Sequence, residues 1–381
     1  MKNFKKRNVE KMKNKFKLLL ATVLVSAICL AGCGENAKMP SDTENSPVSE
    51  ISSDTNETQS SAEDEPSVEE ISEENISIPD VDDPTPDAEP EFINGLLVYN
   101  GVAYEQFFGN PDMAKDYSDV ISTIRNKLDL NIKMYNVLIP THCGITLPDK
   151  FKSYVEPQDV YLNAITNSYS ADGIHPINTF DTLMHHRDEY IYFNTDHHWT
   201  GRAAYYAYAD FCEAAGIDAI PMDKMTSKKI EGYQGSLSDS DVPGLDNLKD
   251  DYVEYFTTDM NIETTLYDDD GTNPQDYSLL HEYAEGRNAY GVFLGGDCPI
   301  IVTKNSDGNG KKIAVVKESY GNAFCPFIAY TYGEVHMIDS RYAEINLPDY
   351  LAENDIDEVI FINNAMAYAT WQRCEELENL V

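Results

Sequence analysis

The sequence predicts an α/β fold whose largely parallel sheet is covered by helices on both faces. From Phe92 onward, apolar strand-like segments alternate with segments of helical spacing, which is the order that a parallel sheet requires. Several of the strands are apolar at consecutive positions, as expected of strands buried on both faces. The 290 residues from Phe92 to the last residue are sufficient for one large domain with insertions.

The first part of this region contains a short strand followed by helices and strands in turn. Leu96–Tyr99 is an apolar run that stops at Asn100-Gly101, a pair that favours a turn. Met113–Leu128 has apolar residues three and four positions apart, which predicts a helix. The next predicted elements are a strand over Ile132–Pro140, helices over Gln158–Asn167 and Thr179–His186, a strand over Tyr190–Asn194 and a helix over Thr200–Ala215.

The second part begins with an irregular segment, residues 226–300, which is rich in Asp, Gly and Tyr. We expect it to be an insertion that contains several short strands. Strong periodic signals resume after it. They predict strands over Lys312–Lys317, Glu334–Ile338 and Glu358–Asn363, and a helix over Gly321–Tyr332.

The N-terminal residues predict export and lipid attachment. Residues 1–17 contain eight Lys or Arg and one acid, and a 13-residue apolar run without charges follows over Leu18–Leu30. This arrangement is typical of a signal peptide, and the run is too short to cross a bilayer as a helix. Leu30-Ala31-Gly32-Cys33 resembles the lipobox of bacterial lipoproteins. We therefore predict a signal peptide over residues 1–32 and a lipidated Cys33 that anchors the protein outside the cell membrane.

Residues 33–91 predict a disordered, acidic linker between the lipidated cysteine and the folded domain. Residues 34–91 contain 19 acids and a single Lys, and they contain no aromatic residue. Such a segment buries too little apolar surface to offset its ordering entropy. Phe92, where the composition changes, marks the predicted start of a domain over residues 92–381.

Charge and cysteine content exclude several classes of protein. The formal net charge of −38 disfavours binding to nucleic acid or to anionic lipid, because both would repel the chain. The sequence has no CxxC motif, which disfavours zinc ribbons and thioredoxin-type redox sites. Besides Cys29 and Cys33, it has five widely spaced cysteines, which we expect to be small buried residues, with one disulfide left open: Cys143, Cys212, Cys298, Cys325 and Cys374.

Two segments have residue types suited to nucleophilic catalysis. Asp196-His197-His198-Trp199 follows a predicted strand and precedes a predicted helix, and an Asp two residues from a His can hold its ring in one tautomer. Ser319 follows the buried strand that ends at Lys317, and a helix begins at Gly321. A serine at such a turn is exposed at the sheet edge, close to backbone N–H groups that can stabilise an oxyanion.

These residues resemble the DHHW protein family, which is similar to the alginate O-acetylation proteins within the SGNH hydrolase-like superfamily. The resemblance covers most of residues 92–381 and includes Gly235-Ser236-Leu237 and Asp339-Ser340-Arg341-Tyr342. It implies a three-layer α/β/α domain without a cofactor or a bound metal. It also implies transfer or hydrolysis of acetyl esters on an extracellular polysaccharide or cell-wall glycan, with a membrane protein as the acetyl donor.

The resemblance also implies roles for individual residues. Ser319 would be the nucleophile, His198 the base and Asp196 the residue that orients it, with Trp199 packed beneath the site. Backbone N–H groups of Ser319 and Tyr320 are the first candidates for oxyanion donors. Asn363 and Asn364 are side-chain candidates, and Arg341 is a candidate for substrate binding or for pairing with an acid. The nucleophile of the acetylation proteins follows Gly-Asp, whereas Lys317-Glu318 precedes Ser319 here.

Two alternatives remain open at the level of sequence. The first is a zinc site drawn from acids and paired histidines, although neither pair has the HExxH spacing: Asp181, His185, His186, Asp196, His197 and His198. The second is a carbohydrate-binding or envelope-assembly lipoprotein without catalytic activity. It would use some of the 25 tyrosines, or Trp199 and Trp371, to stack on sugars.

Overall fold

The computed structural model describes residues 77–81, 83–85 and 87–381. The predicted signal peptide, Cys33 and the linker up to residue 76 lie outside the described residues. None of the helices in the described part of the chain is both long enough and apolar enough to cross a membrane.

The described chain contains thirteen strands and nine α-helices, with short 3-10 turns at Asp149–Tyr154, Met222–Lys224 and Gly286–Val292. In chain order, its first half comprises β1 (Glu91–Ile93), β2 (Leu96–Tyr99), β3 (Val102–Glu105), α1 (Pro111–Lys127), β4 (Lys133–Ile139), α2 (His142–Ile145), α3 (Gln158–Thr166), β5 (Ile174–Asn178), α4 (Phe180–His185) and α5 (Gly201–Ala215). Its second half comprises β6 (Thr226–Tyr233), β7 (Asp251–Thr257), β8 (Ile262–Tyr267), β9 (Gln275–Asp276), β10 (Ile300–Asn305), β11 (Lys312–Lys317), α6 (Gly321–Thr331), β12 (Glu334–Asp339), α7 (Leu347–Glu353), β13 (Glu358–Asn364), α8 (Ala365–Tyr368) and α9 (Trp371–Glu378).

The centre of the fold is an eight-stranded sheet in the order β5-β4-β13-β11-β12-β10-β8-β9. The pairs from β5 to β12 are parallel, which confirms the expected parallel core. Strands β10, β8 and β9 extend one edge in antiparallel pairing. β11, which leads to Ser319, lies between two parallel neighbours, so its carboxyl end is fixed by pairing on both sides.

Helices cover both faces of this sheet, as the sequence predicts. Alternate residues of β11 belong to different cores: Ile313 and Val315 pack in a core with α5 and α6. Ala314 and Val316 pack in the opposite core, with α1, α3, α7 and α9. Because a strand projects its side chains to opposite faces, an all-apolar strand is the expected sequence for this position.

Several predicted boundaries are confirmed to within one or two residues. The Leu96–Tyr99 strand pairs with β3 through Asn100 and Gly101, both of which have positive φ angles of 50° and 73°. Such angles define the two-residue hairpin turn that Asn-Gly favours. α5 begins after Thr200, whose hydroxyl caps the Ala203 amide as expected of an N-cap.

Three features differ from the prediction. The segment Tyr190–Asn194 is not a strand of the sheet and has only an isolated bridge between Tyr192 and Trp199. The region 226–300 is not wholly separate from the domain core, because β8 joins the central sheet, while β6 and β7 form a two-stranded sheet. β5 was missed because it contains Pro176, which an edge strand tolerates and a central strand does not.

The five cysteines of the described region are all free thiols. Four of them are buried, in agreement with their expected role as small core residues, and Cys298 is partly buried. The disulfide that the sequence left open is therefore absent from this structure.

Candidate active site

Ser319 lies in a tight turn between the central strand β11 and helix α6. The turn is closed by the Gly321 amide, which donates to the Glu318 carbonyl over 3.0 Å. A Cβ atom at Gly321 would overlap the side chain of Lys317, so a glycine is required where the helix starts against the strand. The serine therefore emerges at the carboxyl end of the sheet, where it was predicted.

The structure brings Asp196 and His198 to this serine. His198 Nε2 lies 2.8 Å from Ser319 Oγ, and His198 Nδ1 lies 2.6 Å from Asp196 Oδ1. Asp196 Oδ1 also accepts the His198 backbone amide over 3.0 Å. The three side chains form a continuous hydrogen-bonded row, the arrangement of a serine nucleophile with its base and orienting acid. Their catalytic roles stay predictions.

Asp196 is held from its other side by the region predicted as an insertion. The Ser236 amide donates to Asp196 Oδ2 over 2.7 Å, and a Cβ atom at Gly235 would overlap the aspartate. The Ser236 hydroxyl lies 2.8 Å from His197 Nδ1. The Gly-Ser pair that contributed to the family resemblance thus has a local reason: the glycine permits close approach and the next amide binds the carboxylate.

Asp251, which the sequence analysis missed, fixes the loop that precedes Asp196. Its Oδ2 atom accepts the amide and hydroxyl of Thr195 over 2.7 and 2.5 Å. Its Oδ1 atom accepts the Asn194 amide over 2.9 Å and the Tyr190 hydroxyl over 2.6 Å. These bonds replace the ladder bonds of the strand that was predicted at Tyr190–Asn194. A single acid in an acid-rich stretch gives no local signal for this role.

Three aromatic residues enclose the histidine. Trp199 is fully buried and donates its indole N–H to the Tyr320 carbonyl over 2.9 Å, which fits the expected packing beneath the site. Tyr290 stacks on the His198 ring with centroids 4.1 Å apart, and its hydroxyl donates to the Ser319 carbonyl over 3.1 Å. The Tyr320 hydroxyl donates to the His197 carbonyl. Tyr290 comes from the irregular region and was missed.

The prediction that the Tyr320 amide is an oxyanion donor is contradicted by Glu318. The carboxylate of Glu318 is buried and accepts the Tyr320 amide over 3.0 Å and the Ser319 hydroxyl over 3.2 Å. An amide that already donates to a carboxylate is not free for a developing oxyanion. Within the described part of the chain, the Ser319 amide donates to no protein acceptor, so it remains available as an oxyanion donor.

The asparagines at the end of β13 make other contacts than the predicted one to an oxyanion. The Asn364 amide nitrogens donate to Glu318 Oε1, over 3.2 Å from the backbone and 3.1 Å from the side chain. The side-chain oxygen of Asn364 caps α8. Asn363 is fully buried, and its Nδ2 atom lies 3.5 Å from the Tyr117 hydroxyl. Because alternate residues of a strand face opposite sides, Asn363 faces the core that contains α1 rather than the serine.

Arg341 pairs with acids, the second of the two roles considered for it. Its guanidinium binds Asp339 over 2.8 and 2.7 Å and Asp297 over 2.8 Å. Asp339 also accepts the Lys317 ammonium over 3.0 Å, in a pair that is almost completely buried. Lys317 is the last residue of β11 and Asp339 is the last residue of β12, so this network joins the strand that leads to Ser319 to its neighbour.

The electrostatics of the site favour an ionised Asp196 beside neutral His197. Burial alone would raise the pKa of Asp196, but hydrogen bonds and charge from His198 hold it well below its ordinary value. Burial, followed by repulsion from His198, lowers the pKa of His197 to about 4. At neutral pH the negative charge of Asp196 is therefore available to stabilise a protonated His198.

The residues of the proposed zinc alternative do not assemble into one site. Among the described residues, the acids and histidines whose ligand atoms cluster tightly are Asp196, His197 and His198. His186 instead binds Glu189 over 2.7 Å and stacks on Tyr206. Within that cluster, both ring nitrogens of His198 are engaged by Asp196 and Ser319, and Nδ1 of His197 lies 2.8 Å from the Ser236 hydroxyl.

A family model described as DHHW protein matches residues 67–338. A crystal structure of a DHHW family protein from Eubacterium siraeum is 25% identical, with a TM-score of 0.68, over 77% of this chain and 97% of that chain. PatB1 from Bacillus cereus, in a structure with a sulfonyl adduct, is 18% identical, with a TM-score of 0.60, over 73% and 98% of the two chains.

A third structure, the O-acetyltransferase domain of Pseudomonas putida AlgJ, is 12% identical over 76% of this chain and 99% of that chain. Its TM-score is 0.42. No curated protein matches this chain.

Proposed function

Since this chain belongs to the DHHW protein family, we propose that it is an extracytoplasmic serine enzyme that transfers or hydrolyses acetyl esters on cell-surface or exported polysaccharide. The fold is SGNH hydrolase-like, in agreement with the sequence analysis. The single observation on which the proposal depends is the row of two hydrogen bonds that joins Asp196, His198 and Ser319.

The geometry supports a two-step acyl transfer. Ser319 Oγ attacks the carbonyl carbon of the acetyl group while His198 Nε2 takes the hydroxyl proton, and the C–O bond to the leaving group then breaks. The leaving oxygen takes the proton back from His198, which leaves an acetylated serine. In the second step His198 removes a proton from a sugar hydroxyl or from water as that oxygen attacks the acyl carbon. The C–O bond to Ser319 then breaks, and Ser319 Oγ takes the proton from His198.

Several contacts support the separate parts of this scheme. Asp196 fixes the Nδ1–H tautomer of His198, so that Nε2 is the basic atom facing the serine. Stacking by Tyr290 and burial of Trp199 hold the imidazole plane in place. The free Ser319 amide is the donor that we assign to the oxyanion.

The location of the enzyme is part of the proposal. A signal peptide over residues 1–32 and a lipobox at Cys33 would anchor the chain to the outer face of the cell membrane. The acidic linker would allow the domain to reach glycan at a distance from the bilayer. A membrane protein that delivers acetyl groups across the bilayer is the partner that this location requires for a transferase.

A second candidate function is glycan binding without turnover. Glu318 favours it, because its carboxylate occupies the Tyr320 amide and competes with His198 for the Ser319 proton. With one amide in place of two, oxyanion stabilisation would be weaker by about 3–4 kcal/mol. Such a protein would bind glycan at the same site but would not transfer or hydrolyse acetyl groups.

The experiment that tests the proposal is an acetyl ester assay with the full-length protein purified in detergent. We expect the wild type to hydrolyse p-nitrophenyl acetate and to acetylate a cello-oligosaccharide, detected by mass spectrometry. Ser319→Ala should abolish both reactions, whereas Ser306→Ala, which alters an exposed serine, should leave them unchanged. Equal turnover by wild type and Ser319→Ala would refute catalysis and leave the glycan-binding candidate.

A further inference from the structure

A small cavity beside the catalytic row contains a carboxylate that the chemistry above does not use. Glu105, the last residue of β3, lines it together with His142, Asp196 and His197. β3 is fastened to the loop that contains Asp196, because the Ala103 amide donates to the Asn194 carbonyl over 3.0 Å. The position of Glu105 relative to the catalytic row is therefore fixed by backbone contacts.

Two polar side chains of this cavity, Glu105 and His142, have atoms without a partner among the described residues, whereas Asp196 and His197 are hydrogen-bonded. The Glu105 carboxylate has no hydrogen bond or ion pair with any described residue, although it is partly buried. His142 is 7% exposed, and its Nδ1 atom has no hydrogen-bond partner. Its ring is held in place by stacking on Tyr192, with centroids 5.1 Å apart. Buried polar groups are normally satisfied, so the buried, unpaired Nδ1 atom of His142 beside the unpaired Glu105 carboxylate indicates a polar ligand.

The size and charge of the cavity define what it accepts. Its volume of about 10 Å³ is close to the space that a single water or hydroxyl group needs. Burial, with repulsion between His197 and His198, keeps His197 neutral, and burial lowers the pKa of His142 to about 3. The charged groups are therefore the two carboxylates, which accept hydrogen bonds and repel anions.

We propose that Glu105, His142 and His197 form an acceptor subsite that binds one hydroxyl group of a neutral or amino sugar beside Ser319. This inference rests on the glycan part of the proposed function and names the substrate class: sugars that donate hydrogen bonds, to the exclusion of uronic acids. A carboxylate can accept from two adjacent sugar hydroxyls, and the hydroxyl in the cavity orients the ring whose neighbouring hydroxyl faces the acyl serine. The net charge of −38 also favours neutral or amino sugars over uronic acids, because it repels acidic polymers.

A metal ion is a poorer occupant than a hydroxyl group. Glu105 and His142 do not belong to the cluster of ligand atoms around Asp196, and among the described residues they form no group of three close ligand atoms that could hold an ion. An ordered water in the free protein is compatible with the subsite, because a sugar hydroxyl would replace it with the same hydrogen bonds.

The test measures glycan binding by calorimetry with the full-length Ser319→Ala protein, which cannot turn over its ligand. The probes are cellotetraose, a glucosamine tetramer and a galacturonate tetramer. We expect the neutral or the amino sugar to bind and the galacturonate not to bind. Adding Glu105→Gln should raise Kd about tenfold or more, the effect of losing a hydrogen bond to a charged group. The matched control, Glu231→Gln at an exposed position, should leave Kd unchanged.

Two measurements separate this inference from a failure to fold and from failure of the proposed function. Burial and the charge of Asp196 raise the pKa of Glu105, so Glu105→Gln should keep or raise the melting temperature at neutral pH. An unchanged Kd in Glu105→Gln, tightest binding of galacturonate, or no binding of any probe would overturn the subsite. Glu105-dependent binding in a protein without esterase activity would refute the catalytic proposal and leave the subsite standing.

Discussion

Glu318 accepts the hydroxyl of Ser319 over 3.2 Å, and the same hydroxyl lies 2.8 Å from His198 Nε2. The same carboxylate accepts three further bonds, from the Tyr320 amide and from both nitrogens of Asn364. It therefore joins the nucleophile turn to the end of β13. The serine hydroxyl has a single proton and two acceptors, and the shorter bond is the one to His198 at 2.8 Å.

Replacing Glu318 by Ala tests how much these hydrogen bonds between the nucleophile turn and β13 stabilise the protein. We expect a loss of about 2–4 kcal/mol in the free energy of unfolding, because buried amides of Tyr320 and Asn364 lose their acceptor. Urea unfolding measures the loss, with Glu353→Ala, at an exposed helix position, as the control that should stay within about 0.5 kcal/mol of wild type. If both variants have the same free energy of unfolding, the hydrogen bonds of Glu318 do not contribute to stability.

Asp251 provides a second test, on the loop that precedes Asp196. Asp251→Ala removes the acceptor of two backbone amides and should lower the free energy of unfolding by about 3–5 kcal/mol. Because the loop positions the base, the kcat for an acetyl ester should fall about 10²-fold in the fraction that remains folded. The neighbouring exposed acid supplies the control, Asp250→Ala, which should affect neither quantity. Wild-type kcat in Asp251→Ala would show that the loop needs no such support.

The depressed pKa of Asp196 predicts how stability depends on pH. Its folded pKa lies below its ordinary value of 3.8, so its contribution is complete above about pH 4–5 and is lost as the pH falls toward the folded pKa. At neutral pH, Asp196→Asn should be less stable than wild type by about 2–3 kcal/mol. This difference should shrink progressively below about pH 4.

Urea unfolding of wild type and Asp196→Asn at several values between about pH 7 and pH 3 measures this dependence. Asp276→Asn, at an exposed position, is the control for general charge effects. If the difference in free energy of unfolding between wild type and Asp196→Asn stays constant down to pH 3, the partners of Asp196 do not stabilise its ionised form.

Much of the catalytic row was predictable, because its signals are local. Asp196 and His198 are two residues apart, and that spacing alone allows the carboxylate to bind both the ring and the amide of the histidine. The apolar strand that ends before Ser319 predicted both a central position in the sheet and an exposed serine at its end. Strand length and helix boundaries followed from the same periodicity.

The parts that were missed depend on contacts between distant segments. Asp251 and Tyr290 lie in a region whose sequence has no clear period, and their partners are 56 and 29 residues away. Glu318 accepts the Tyr320 amide within its own turn, and it reaches Asn364 because β13 is adjacent to β11. Spacing along one segment defines neither the conformation of the Glu318 side chain nor the strand order, so Tyr320 and Asn364 were wrong candidates, whereas the Ser319 amide remains available.

The lipid anchor remains a prediction, and it concerns residues outside those that the structure describes. Cys33→Ala should abolish incorporation of a labelled fatty acid into the protein, because the thiol is the predicted attachment point. Metabolic labelling followed by immunoprecipitation measures the incorporation, and Cys29→Ala, in the apolar run, should be labelled like wild type. Equal labelling of wild type and Cys33→Ala would contradict lipidation at this residue.

The central claim is that Ser319 and His198 act as one unit, and the most direct measurement is a double-mutant comparison of acetyl ester hydrolysis. Ser319→Ala and His198→Ala should each lower kcat by about 10³-fold or more, and the double variant should be no slower than either single variant. Circular dichroism confirms that the variants are folded. A wild-type rate in either single variant, or losses that multiply in the double variant, would contradict the claim.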